Sequence, residues 1–166
     1  MTDYSAFCKA LGSPDAQPHT IFSALHALVE TAMGVRLFTL MTFDARTRGA
    51  QRIYSNMPDA YPVLGVKPIN EAYWANKVLD LHETFVANDI DTIAGVFFDF
   101  ELIRSLGCES AVNVPIVVAG NVIGTINCLH EAGHYTPERV RASDSLKLPG
   151  AAAFLLNRSI SAEGAK

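Results

Sequence analysis

Residues 106–129 read LGCESAVNVPIVVAGNVIGTINCL. From Ala111 to Val118 the run is dominated by β-branched residues and reads as a strand. Ala119-Gly120-Asn121 turns the chain, and 122–129 returns as a second strand, so the unit is a long antiparallel hairpin. Pro115 has no N–H to give to a ladder, so its nitrogen side belongs at an edge or a bulge. Side chains alternate across a strand, which puts Asn113 on one face with Ala111 and Pro115. On the return strand it puts Thr125, Asn127 and Leu129 together.

Working outward, 35–43 (VRLFTLMTF) and 50–55 read as another hairpin around a polar turn, and 84–86 as a short strand. Ahead of them, Ile21, Leu25, Leu28, Val29, Ala32 and Met33 recur at helical spacing, with Gly34 as the stop. Between the hairpins, 58–68 is a Pro/Gly-punctuated loop. Asn70 is placed to cap a short helix carrying Trp74, Val78 and Leu79. Residues 89–106 hold one or two short helices, with Asp99 as a second cap and Gly107 as a stop. Beyond the hairpin, Thr136-Pro137-Glu138 combines a hydroxyl cap, proline in the first turn and an acid. That helix is expected to run toward Arg158 and to kink or split at Pro149-Gly150. Helix, hairpin, helical connection, hairpin, helix is an α+β order with one antiparallel sheet.

The chain has 166 residues, 49% apolar, with a formal net charge of -4 and a pI near 5.7. This length suits one domain over 1–166, with a core at about 18–160 and loosely ordered ends at 1–12 and 161–166. No basic stripe exists to displace counterions from phosphates, which excludes a nucleic-acid binder. The apolar run 150–156 is far short of the ~20 residues of a spanning helix, so no membrane segment is expected. Met1-Thr2-Asp3-Tyr4 has neither a basic nor an apolar signal region. Three irregularly spaced cysteines, Cys8, Cys108 and Cys128, form no disulfide framework and suit a reducing cytoplasm. The mean hydropathy of +0.19 points to apolar surface used in an interface or a pocket.

The 106–116 segment, Gly120, Val122-Ile123-Gly124-Thr125-Ile126-Asn127, Tyr135-Thr136-Pro137-Glu138 and, upstream, Phe85-Val86-Ala87-Asn88-Asp89 together resemble the GAF domain family over about 18–160. The resemblance implies a GAF-like (profilin-like) fold. Five or six antiparallel strands carry the terminal helices on one face, often as a dimer interface, and short helices over a small-molecule pocket on the other. It implies a cytoplasmic sensory or regulatory module, a homodimer, signalling in trans to a separate output protein. Family ligands range from cyclic nucleotides to bilins, haem, oxoacids and amino acids, so neither ligand nor cofactor is specified. Within such a pocket, strand parity offers Asn113, Thr125 and Asn127 as polar groups. Tyr54 and Trp74 would supply aromatic walls, and Asp89 a charge at the lid. Two alternatives accompany this reading. One is a redox enzyme of the free methionine-(R)-sulfoxide reductase type, working through Cys108. The other is a ligand-free dimerisation module with a collapsed core.

Narrower patterns fail. Asn76-Lys77 with Phe85 and Asp89 is a partial cyclic-nucleotide motif, but Ile90 stands where that motif has Glu, and the segment precedes the hairpin. The acids of the reductase branch fall at Ala111, Asn127 and Leu129. Cys128-Leu129-His130 lies on a strand, not in the helical context of bilin attachment. His130-Glu131-Ala132-Gly133-His134 is a literal H-E-x-x-H, but zinc-protease chemistry needs it on a helix. Here it ends a strand and meets a helix start two residues later. His26 is expected to be partly buried, and His19 and His82 exposed.

Overall fold

The chain's β-branched runs all join one sheet. A computed structural model describes residues 2–44, 46–47, 49–63, 66–69 and 72–164. The decisive hairpin is β5 (Ser110–Val118) and β6 (Asn121–His130), and the first hairpin is β1 (Leu37–Asp44) and β2 (Gly49–Ser55). With the two-residue β3 (Lys67–Pro68) and β4 (Phe85–Ala87), the sheet order is β3-β2-β1-β6-β5-β4. Every pairing among these strands is antiparallel. β4 reaches only Ala111, Val112 and Asn113 of β5, so Pro115 lies past its end at an open edge, where it costs no ladder bond.

β6 is buried on both faces because a separate core lies on each. Behind the sheet, α1 (Ser5–Leu11), α2 (His19–Met33) and α7 (Lys147–Glu163) bury Ile21, Leu25, Phe38, Val114, Ile126 and Phe154. In front, α3 (Ala72–Ala75), a π-helical turn (Asn76–Asp80), α4 (Ile90–Ala94) and α5 (Phe100–Ser105) enclose a second cluster that includes Leu37, Phe43, Trp74 and Leu129. Gly34 and Gly107 stop their segments at φ of 74° and 75°. The proposed cap Asn70 lies outside the described residues.

Two expectations are corrected. Residues 5–11 are not loose: Phe7 is buried against the back core, and the Tyr4 hydroxyl donates to the Ser145 carbonyl at 2.7 Å. The last helix does not break at Pro149-Gly150. α6 (Pro137–Ala142), capped by Thr136 as expected, gives way to a 3-10 turn at Ser143–Leu146, and α7 starts afresh. Pro149 then sits in the first turn of α7, where no intrahelical donor is required of it. Gly150 has a packing reason: an added Cβ there would stand 2.8 Å from Ile116 Cδ1.

Candidate functional site

Strand parity brings Asn113, Asn127 and Thr39 into one row on the front face, because Asn113 pairs with Asn127 and Asn127 with Thr39. Their side chains form a chain of hydrogen bonds that starts from the lid. Trp74 Nε1 donates to Asn113 Oδ1 at 2.8 Å, Asn113 Nδ2 to Asn127 Oδ1 at 2.9 Å, and Asn127 Nδ2 to Thr39 Oγ1 at 3.3 Å. All four residues are buried. An indole nitrogen can only donate, so Trp74 fixes which way round the Asn113 amide stands, and each later amide follows from it.

Above this row is a cavity of about 510 Å³, within the range of small-molecule sites. Met41, Phe43, Leu129 and Ala111 line its floor, with Ile69, Trp74, Phe97 and Ile103 above. The front core is therefore not collapsed. Among the described residues, charge enters at one side only. Arg52 of β2 lines the cavity, its guanidinium carbon 4.5 Å from the centre of the Tyr61 ring and its Nη1 donating to the Pro62 carbonyl at 2.9 Å. The Tyr61 hydroxyl donates to Asp99 Oδ2, and burial is the main reason its pKa is raised well above the ordinary phenol value. Asp99 thus serves Tyr61 and makes no side-chain cap to α5.

The GAF domain profile matches residues 17–146, most of the chain. The chain belongs to the GAF domain family. Solved structures give the same fold. The GAF domain of an Acinetobacter phosphoenolpyruvate-protein phosphotransferase superposes with a TM-score of 0.68 at 11% identity, over 93% of this chain and 92% of that one. A domain of a two-component sensor histidine kinase from Sinorhizobium meliloti gives 0.65 at 13%, over 90% and 99%. The GAF domain of a sensor histidine kinase from Bacillus halodurans gives 0.66 at 11%, over 89% and 98%. No curated protein matches.

In this GAF domain, Trp74, Asn113 and Asn127 meet at the cavity, and three expected site residues do not line it. Tyr54 points to the back face, edge-on to Phe22 and Phe38. A β-bulge explains it: β1 and β2 shift register between Leu40 and Met41, so Tyr54 lies opposite Leu40 while Arg52 lies opposite Met41. Asp89 is exposed and caps α4, accepting from Thr92 N at 2.7 Å and Thr92 Oγ1 at 2.9 Å. Thr125 shares the Asn127 face but is sealed between Met41 and Pro115, its hydroxyl without a partner among the described residues. Strand reading missed Thr39, Met41 and Arg52. The first two could have been found by pairing β1 against β6.

Two of the cysteines and the loop histidines of this GAF domain serve packing. Cys108 and Cys128 are buried, and burial pushes both thiols above their ordinary pKa, away from the thiolate a redox nucleophile needs. His130 through His134 ends β6 and turns, as the sequence implies, with Gly133 at φ 70°. The two imidazoles stack at 3.6 Å. His134 Nε2 meets the Met33 carbonyl at 2.8 Å, and Arg139 Nη1 meets its Nδ1 at 3.3 Å. Ligand atoms of His130, Glu131 and His134 fall within 4.8 Å of one another. However, both His134 nitrogens are engaged, and Arg36 reaches Glu131 at 3.8 Å. The cluster is a clasp that ties the loop to α2.

Proposed function

We propose that this GAF domain is a cytoplasmic sensory module that binds a small, largely apolar molecule between the sheet and its short-helix lid, and that it works as a homodimer signalling to a separate output protein. The observation that carries this reading is the cavity of about 510 Å³ over the Trp74–Asn113–Asn127–Thr39 row. A hydrogen-bonded polar row in an apolar cleft orients a ligand without demanding one. Occupancy acts by biasing the lid toward its closed state, to the extent that the ligand prefers that state. Unpaired cysteines support the compartment. The apolar Leu148 and Leu155, 80% and 45% exposed and two turns apart on α7, support a helix-mediated dimer.

Native mass spectrometry of freshly purified protein beside a denatured sample tests this. The expected result is a dimer, with either a retained mass that leaves on denaturation or an apo protein that gains one from a metabolite extract. An apo protein that takes up nothing overturns the sensor reading.

A further inference from the structure

Among the described residues, Arg52 is the one cation on the cavity wall, and it makes no ion pair there. The ion pairs among the described residues all lie elsewhere. Its Nη1 is spent on a neutral carbonyl, and its Nε is buried with no acceptor. Half-buried charge is ordinarily paired, because desolvation is otherwise uncompensated. Desolvation is accordingly the main pull on this guanidinium's pKa, which lies below its ordinary value. The acid on the same wall, Asp99, pulls on Arg52 through space but makes no ion pair with it, and one of its oxygens accepts from Tyr61. The β1–β2 bulge turns Arg52, and not Tyr54, into the cavity. A bulge that re-aims one side chain is a common device beside binding sites. Opposite the charge, Met41, Phe43, Trp74 and Leu129 present only hydrocarbon, aromatic or thioether surface.

We infer that the ligand of this cavity is an organic acid, a single carboxylate on an apolar body, with the carboxylate paired to Arg52 and the body lying over the amide row. This rests on the proposed ligand-binding function and narrows it. A guanidinium matches a carboxylate in shape as well as charge. A polyphosphate or a sugar would leave its polar groups unmatched against the apolar wall. Asp99 on the same rim disfavours a second negative charge and leaves room for an ammonium, so the acid is either a plain carboxylic acid or an α-amino acid.

Three probes that share one eight-carbon body separate these cases: octanoate, octanamide and 2-aminooctanoate. Trp74 is the only tryptophan, so its fluorescence reports the cavity directly in the intact protein. Octanoate is expected to bind about tenfold or more tighter than octanamide, the difference a charge-assisted pair supplies. In Arg52→Gln that preference is expected to vanish while octanamide binds as before, and Arg52→Lys is expected to retain part of it. Equal binding of octanoate and octanamide by the unaltered chain overturns the acid inference while the cavity reading stands. Failure of every probe, with Trp74 emission still that of a buried indole, overturns both. The unaltered chain therefore decides even if Arg52→Gln does not fold. Tighter binding of 2-aminooctanoate than of octanoate supports the inference and brings Asp99 into the site. The reverse order supports it with a plain acid as ligand.

Discussion

Asn113 and Asn127 each spend an amide on a partner that is itself buried, so removing one of them does more than delete a bond. Asn113→Leu strands the Trp74 N–H and one Asn127 oxygen, at a cost of about 1–3 kcal/mol for each group left unsatisfied. Chemical denaturation should show the loss, and Trp74 emission should shift. The double variant Asn113→Leu/Asn127→Leu should cost less than the sum of the two singles, because the stranded partners go together. His26 makes a second prediction at this scale. Stacked 4.8 Å from Phe38, it is held below the ordinary imidazole pKa of 6.5, chiefly by burial and against the pull of Glu30. Its folded pKa is depressed, so the neutral form is the one that fits. Stability from this group is full above the ordinary value of 6.5, falls as pH drops through it toward the folded pKa, and levels off below the folded pKa. Thermal unfolding from pH 7.5 to 5 should show a decline that His26→Phe reduces. His130, also lowered mainly by burial, adds to the decline that remains.

At the scale of elements, most of what is regular was readable. Two hairpins, the α2 stripe, the Thr136 cap and the Gly107 stop follow from periodicity and turn chemistry, which act locally. What was not readable depends on neighbours. The bulge that sends Tyr54 back and Arg52 forward is a property of the β1–β2 pair, and strict alternation would have put both on one face. Helix α1 is seven residues with one buried side chain, Phe7, too short for a period to show. Residues 143–146 tighten into a 3-10 turn where composition gives no warning. Gly124 shows why its small size matters here. An added Cβ would stand 2.6 Å from the Met41 carbonyl oxygen and closer still to the Phe154 ring, so β6 and α7 approach only because it is absent. Gly124→Ala should destabilise the domain by roughly 1–3 kcal/mol through overpacking, readable as a lowered urea midpoint with an unchanged slope.

For the whole molecule, the sheet separates the two proposed tasks. The cavity lies in front and α7 lies behind, so a change that breaks the proposed dimer need not touch the proposed ligand site. Leu148→Glu together with Leu155→Glu is expected to give a monomer by size exclusion with light scattering while octanoate affinity stays within about twofold, since exposed sites distant from the cavity act independently of it. A dimer that persists removes α7 from the interface. The sequence grouped Asn113 with Ala111 and Pro115, and Asn127 with Thr125 and Leu129, because parity is a local rule. It did not show that the space above them was empty, because a void belongs to packing between segments far apart in the chain.

The row from Trp74 to Thr39 also has a direction. Each N–H that bonds along the row points the same way, away from the lid and toward β1, so two amide dipoles lie head to tail across three strands with their positive ends turned toward the side of the sheet that carries β2. The cavity floor is therefore polarised, and a guest laid along it meets unequal ends. Of its two possible orientations, the one with its electron-rich end toward β2 is favoured before any side chain moves, so the site can distinguish head from tail.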